Sequence, residues 1–227
     1  MSEGNGIDGQ SDELLAVYDH NGLQVGTKVR AEVHRDGDLH WVSFLLAARR
    51  DSAGGKRFLL QLRGRPGDPY RGQVDCLAGG HIAANESQRQ AIVRECREEA
   101  GVDLDPAALI YLGKRFLDNP TGVCRHVVDH FYLSGRPILL EEVAFTEEVS
   151  GFIEVDLSEF GKLVDKTRDR IPCLARSIER GTAIYSREIT FNQLSAYSPP
   201  ALENFRRSVH AIDVYFETGS VDESIWE

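Results

Sequence analysis

Apolar residues recur along this chain mostly at every second position and, in a few stretches, at every third or fourth, which predicts strands arranged around one central helix with a second helix near the end. LLAVYD (14–19) and LQVGTKV (23–29) flank His20-Asn21-Gly22, whose Asn-Gly pair predicts a two-residue hairpin turn. In the stretch 31–50, His34 and His40 bracket a turn, and Trp41 to Ala48 read as a strand. RFLLQLRGR (57–65) is the next strand, after the turn Asp51-Ser52-Ala53-Gly54-Gly55. ALIYLGKRFLD (108–118) and CRHVVDHFYLSG (124–135) predict an antiparallel pair around Asp118-Asn119-Pro120-Thr121-Gly122. TEEVSGFIEVDLSEFGKLV (146–164) reads as loop, short strand and helix.

The central helix is bracketed at both ends. Ser87 followed by Gln90 is a capping box, and Gly101 supplies the left-handed terminal residue, so the helix runs from about 88 to 100. At about 100° per residue, Ile92, Val93, Cys96 and Ala100 share one arc, and Glu95, Glu98 and Glu99 share the adjoining one. One stripe is thus buried while three carboxylates point sideways. Their mutual repulsion is relieved by a cation, and hard divalent ions take oxygen ligands. Arg94 stands one turn before Glu98 and can hold that carboxylate in place. Taken alone, a Glu/Arg-rich helix is more often a solvated charged face.

Further along, Ser198-Pro199 is a cap and first-turn pair, and Leu202, Phe205, Val209, Ile212 and Phe216 follow at spacings of three and four. That seam predicts a helix packed on the core or, alternatively, sealing a homodimer. Residues 1–12 read as a disordered tail, and the acidic residues 217–227 as a frayed end.

Composition narrows the function. Apolar and charged fractions of 41% and 27% are globular values, and the formal charge of −10 argues against a nucleic-acid or anionic-membrane partner. Cys76, Cys96, Cys124 and Cys173 are widely spaced and read as free thiols. With neither a signal peptide nor a membrane span in the pattern, a cytoplasmic protein is expected.

The segment GHIAANESQRQAIVRECREEAGV (80–102) places Gly80, Glu86, Arg94, Glu95, Glu98, Glu99, Gly101 and Val102 at fixed intervals and resembles the Nudix box. Cys96 stands where that family usually has an aliphatic residue, and a buried thiol behaves as a small hydrophobe. QLRGRPGDPYRGQVDCLAGGHI (61–82), with His34 and His40, is similar to the branch related to type I isopentenyl-diphosphate isomerase. The resemblance spans about 14–157 and implies an α/β/α sandwich with a mixed sheet. Residues 13–165 form that domain in this reading, and 166–227 a C-terminal helical extension packing on the core or on a second subunit.

The resemblance also implies chemistry. It makes Glu95, Glu98, Glu99 and the Gly80 carbonyl the ligands of Mg²⁺, with Mn²⁺ as a substitute, and gives Glu86 a loop-supporting place. The implied activity is hydrolysis of a diphosphate linkage in a nucleoside diphosphate derivative or other small organic diphosphate. Glu98 or Glu148 would take the proton from an attacking water; Glu147 beside Glu148 leaves that choice open. Arg63, Arg65 and Arg71 are candidates to grip the diphosphate, or else solubilising charges. His34, His40 and His81 resemble the isomerase metal histidines, or serve as ordinary hydrogen-bonding groups. The isomerase thiol directly precedes the Gly-His pair, where this chain has Gly79; Cys76 comes three residues too early and reads as structural. Isomerisation and a non-catalytic nucleotide-sensing module are the alternatives.

Overall fold

The computed structural model describes residues 13–64, 70–119, 125–194 and 199–226. The expected tail 1–12, Arg65, Cys124, the Ser198 cap and the turn residues 120–122 lie outside them.

A small hairpin opens the described chain, β1 (Leu14–Tyr18) against β2 (Gln24–Val29). Its loop is wider than the two residues expected. The Asp19 carboxylate accepts the N–H groups of Asn21 and Leu23, and Gly22 takes φ 78°, so Asp19 winds the turn together with the glycine. Helix α1 (Arg30–Asp36) follows at once and ends on Gly37 in the left-handed conformation. His34 and His40 thus bracket a turn at Gly37 as expected, with His34 on a helix that the sequence pattern did not predict.

The main sheet contains β3 (His40–Arg50), β4 (Lys56–Arg63), β5 (Val74–Asp75), β6 (Ala78–His81), β7 (Ile110–Asp118), β8 (His126–Leu133), β9 (Val149–Asp156), β10 (Arg170–Ser177) and β11 (Gly181–Thr190). Its nine strands run in the order β11-β10-β9-β4-β3-β8-β7, with β5 added to β4 and β6 to β3. β3 and β8 are parallel and the other named pairs antiparallel, which makes the sheet mixed as expected.

Alternation along β3 separates two layers. Leu45 and Ala47 pack with Ile92, Cys96 and Ala100 of α2 (Gln88–Ala100). Phe44, Leu46 and Ala48 pack on the opposite side with residues of α3 (Leu157–Val164) and α4 (Pro199–Thr218). Along α4, Phe205 and Ile212 are buried, and Leu202, Val209 and Phe216 are partly buried against this core. Full burial stabilises a side chain of the size of Phe205 or Ile212 by roughly 1.5–3 kcal/mol.

Two expectations for the C-terminal third are corrected. Residues 166–227 are not a purely helical extension, because β10 pairs with β9 and β11 with β10, continuing the sheet past residue 165. The reason is visible in β10, where Ile171, Cys173 and Ala175 point into the core and Arg170, Pro172 and Leu174 outward, a strand period. Nor is the end of the chain frayed. Trp226 is 1% exposed and stacks on Phe131 with ring centroids 3.8 Å apart. Its indole fills the space beside Gly113, where a Cβ would come within 2.4 Å of Trp226 Cδ1.

Candidate active site

Helix α2 forms as its ends predict. The Ser87 hydroxyl accepts the Gln90 N–H, the Gln90 side chain accepts the Ser87 N–H, and Gly101 closes the helix at φ 66°. This phase turns Glu95 against β6, leaving it 7% exposed. A Cβ on Gly80 would come within 2.1 Å of Oε1 of Glu95 and push the carboxylate off the strand, so a glycine here lets helix and strand approach.

Arg94 organises the acidic side chains. Its guanidinium donates to Glu86 Oε1 at 2.6 Å, Glu95 Oε1 at 2.7 Å, Glu98 Oε2 at 3.1 Å and the His81 carbonyl at 3.1 Å. The expected hold on Glu98 is present, as one arm of a wider clamp. Glu86 also accepts the Ala83 N–H, which ties the loop ahead of α2 to the same arginine.

Glu99 is held from β4 and β6. Its Oε2 accepts the Gln61 side-chain amide at 3.0 Å and the Gly79 N–H at 2.9 Å. Glu148 lies just before β9, where its carbonyl accepts the Gly64 N–H and its own N–H donates to Thr146 Oγ1, which in turn donates to the Glu99 carbonyl. Its charge acts on Glu99, whereas Glu147 is exposed. Burial raises the Glu95 carboxyl to about 7, and burial followed by the nearby Glu95 charge raises Glu99 well above its ordinary value. Crowded, desolvated carboxyls of this kind suit a hard dication, and the donor set of carboxylates and backbone carbonyl fits Mg²⁺ or Mn²⁺.

The arginines behave less uniformly. Arg63 Nη1 pairs with Asp75 Oδ2 at 3.0 Å, so its guanidinium is already engaged at this edge of the site. Arg71 is exposed in the turn before β5, and Arg65 lies outside the described residues.

On the other face of β6, His34, His40 and His81 converge, each offering a ring nitrogen within 4.8 Å of the others. His34 Nε2 and His81 Nε2 are 3.0 Å apart, and His40 Nδ1 meets the Asp38 carbonyl at 2.9 Å. His40 Nε2 is buried with no hydrogen-bond partner among the described residues. Burial lowers all three, His34 to about 4 and His81 well below its ordinary value, so the rings are neutral, the form that ligates metals.

Position 79 is filled from elsewhere. A Cβ on Gly79 would come within 2.5 Å of Cδ1 of Phe44, whose ring lies where a side chain at 79 would be. Cys76 is buried in the α3/α4 core, and burial pushes its thiol well above its ordinary value, in keeping with a structural cysteine. Gln61, which binds Glu99, is not singled out by the sequence reading; a polar residue inside an apolar strand is the signal that could have found it.

A family model described as the NUDIX domain matches residues 29–176. The chain belongs to the Nudix family. An uncharacterized Nudix hydrolase from Clostridium acetobutylicum is 28% identical over 164 residues, 70% of this chain and 78% of that protein. Nudix hydrolase 3 of Arabidopsis thaliana is 29% identical over 85% of this chain, which spans only 27% of the plant protein. An isopentenyl-diphosphate Delta-isomerase from Aliivibrio fischeri is 28% identical over 61% of this chain and 77% of its own. Among solved structures, DR0079 from Deinococcus radiodurans superposes with a TM-score of 0.50 at 17% identity, covering 68% of this chain and 90% of that one, which supports the fold alone. Membership makes the chain a Nudix hydrolase, an enzyme that cleaves a diphosphate linkage, and the family generally uses divalent metals. Among the described residues, no helix is long and apolar enough to cross a membrane.

Proposed function

We propose that this Nudix hydrolase cleaves the diphosphate linkage of a nucleoside diphosphate derivative or another organic diphosphate, with Mg²⁺ or Mn²⁺ held by Glu95, Glu98, Glu99 and the Gly80 carbonyl. The observation that carries this reading is the grouping of Glu86, Glu95 and Glu98 on the Arg94 guanidinium, with Glu95 and Glu148 close enough for their charges to act on Glu99. A cation bound there neutralises charge on the phosphate oxygens and lowers the pKa of an attacking water.

The remaining work falls to the chain's own side chains. Arg94 fixes the rotamers of Glu95 and Glu98. Gln61 and the Gly79 N–H both bind Oε2 of Glu99, which orients its other oxygen for a ligand. Glu98, with a side chain 51% exposed, or Glu148 accepts the proton of the attacking water. Arg63, Arg65 and Arg71 contact the diphosphate, Arg63 while remaining oriented by Asp75.

Isomerisation is disfavoured by position 79, where glycine has no proton to exchange with a substrate carbon and the Phe44 ring leaves no room for a thiol. The test is a hydrolysis screen over nucleoside diphosphate derivatives, dinucleotides, coenzyme A, thiamine diphosphate and isoprenoid diphosphates, with Mg²⁺ or Mn²⁺, alongside isopentenyl diphosphate in deuterated water. Turnover of at least one diphosphate without deuterium incorporation is expected. No turnover of any of them, or deuterated dimethylallyl product, would overturn the reading.

A further inference from the structure

Between β8 and β9 the chain runs through residues 134–148 without a helix or strand. Structureless connections of roughly 12–15 residues or more are uncommon in compact domains and usually functional, and their buried carbonyls need donors. One side chain supplies them. Arg176, near the end of β10, is 7% exposed, and its Nη1 donates to the carbonyls of Leu140 at 2.8 Å, Val143 at 2.8 Å and Glu141 at 3.1 Å. Its Nε is buried without a hydrogen-bond partner among the described residues. Arg49 on β3, by contrast, is bound through Nε and Nη2 to both oxygens of Glu154. A buried guanidinium is costly where only neutral groups face it. Arg176 is thus a buried cation set on backbone carbonyls, and what it fixes is the course of the chain.

Sheet register connects Arg176 with the catalytic side. Arg176 pairs with Phe152 of β9 and Phe152 with Gln61 of β4, so the three form one row on the face toward α2, and Gln61 is the residue that donates to Glu99. Phe145 lies over this row. The Arg176 guanidinium sits 5.3 Å from its ring centroid, and the ring stacks on Phe152 with centroids 6.2 Å apart. Arg176 therefore holds the segment twice, through the carbonyls at 140–143 and through the ring at 145.

From there the segment reaches the end of α2 and then the candidate base. The Ala144 N–H donates to the Ala100 carbonyl at 2.8 Å, and Thr146 Oγ1 donates to the Glu99 carbonyl at 3.2 Å while accepting the Glu148 N–H at 3.3 Å. Gly101 admits this approach, since a Cβ there would come within 2.6 Å of the Ala144 Cβ. The charge that acts on Glu99 is in consequence that of Glu148, while Glu147 is exposed.

We propose that Arg176 is a positioning residue of this enzyme: by gathering the carbonyls of 140–143 and covering Phe145, it sets the segment that presents Glu148 to the acidic cluster. It acts through Glu148 and not on the substrate. The inference rests on the diphosphatase reading and deepens it, since it makes Glu148 a working member of the site.

The test compares wild type, Arg176→Met, Arg176→Lys and Phe145→Leu as full chains on a diphosphate that wild type turns over, with melting curves to show which variants remain folded. Arg176→Met should lower kcat about ten- to hundredfold with KM within about twofold of wild type, and Arg176→Lys, which keeps donors for the carbonyls, should lose less. Hydrogen–deuterium exchange should quicken across 138–148 in Arg176→Met and stay as in wild type across 88–97. Combined with Glu148→Gln, Arg176→Met should cost nothing further, whereas combined with Glu98→Gln it should cost its full factor. A purely structural role predicts a lower melting temperature with unchanged kcat in the folded variant. That result, or an equal loss in the Glu148→Gln background, overturns the inference. Should Arg176→Met fail to fold, Phe145→Leu in the two glutamine backgrounds makes the same comparison, with loss required beside Glu98→Gln and none beside Glu148→Gln. Wild type that hydrolyses no diphosphate refutes the underlying reading instead, and quickened exchange across 138–148 in Arg176→Lys would still show that Arg176 holds the segment.

Discussion

On the α2 side of β6, the carboxylates Glu86, Glu95, Glu98 and Glu99 all come from one capped helix and the loop before it, and Arg94 clamps the first three. On the other side, His34, His40 and His81 come from a helix and two strands, with His34 and His81 separated by 47 positions. The first cluster is acidic and carries its own counterion in Arg94. The second is neutral, and its buried His40 Nε2 is left without a hydrogen bond among the described residues. An acidic cluster and a histidine cluster of opposite character can therefore share a four-residue strand, because successive side chains on a strand face opposite ways. Hard-oxygen and imidazole donor sets then prefer different ions.

The comparison breaks most visibly at the carboxylates. Glu98→Gln or Glu99→Gln should lower diphosphate turnover by about 10³-fold while the melting temperature stays close to that of wild type, measured with Mg²⁺ supplied. Unchanged turnover in either variant would remove the acidic cluster from the chemistry.

Stability should divide the two faces as well. Trp226 closes the α4 side by stacking on Phe131, so Trp226→Ala should cost about 3–5 kcal/mol in denaturant unfolding. Arg97→Ala, on the exposed side of α2, should stay within about 0.5 kcal/mol. Equal losses would show that the C-terminal segment does not anchor that layer.

Metal preference sharpens the contrast further. His40→Ala should weaken Zn²⁺ or Co²⁺ binding on the order of 10- to 100-fold, read by chelator competition and by the Co²⁺ absorption spectrum. Glu98→Gln should leave that spectrum as it is. A spectrum that changes in Glu98→Gln and not in His40→Ala would place the soft-metal site among the carboxylates.

The smallest expected effect concerns Asp129. Burial raises its carboxyl to about 7 in the folded chain, above the ordinary 3.8, so the fold favours the protonated form. Stability from this group is therefore full below about pH 4, falls as pH rises toward 7, and changes no further above that. Relative to wild type, Asp129→Asn should gain roughly 1 kcal/mol or more between pH 4.5 and pH 7.5 in denaturant unfolding. A difference that is flat across that range would mean that Asp129 is ionised and paired throughout.

Much of this protein was determined by short-range sequence. Ser87, Gln90 and Gly101 set the ends of α2, and the helical period then aims Glu95, Glu98 and Glu99 to one side whatever the rest of the chain does. The seam of α4 was legible for the same reason, and so was the β7–β8 pair. The alternation in IPCLARS (171–177) is equally local, but the helical seam at 202–216 dominates the pattern of the C-terminal stretch, so β10 and β11 emerge only from the structure. Tertiary structure alone decided the rest. Which histidines meet depends on β3 pairing with β6, and which polar groups face Asp129 depends on where α4 crosses the sheet. That Phe44 stands in the place of a side chain at 79 depends on two strands fitting at atomic distance. Periodicity and capping act over a few residues and can be read in order along the chain, whereas strand register and close packing join residues far apart in it and exist only once the core has closed.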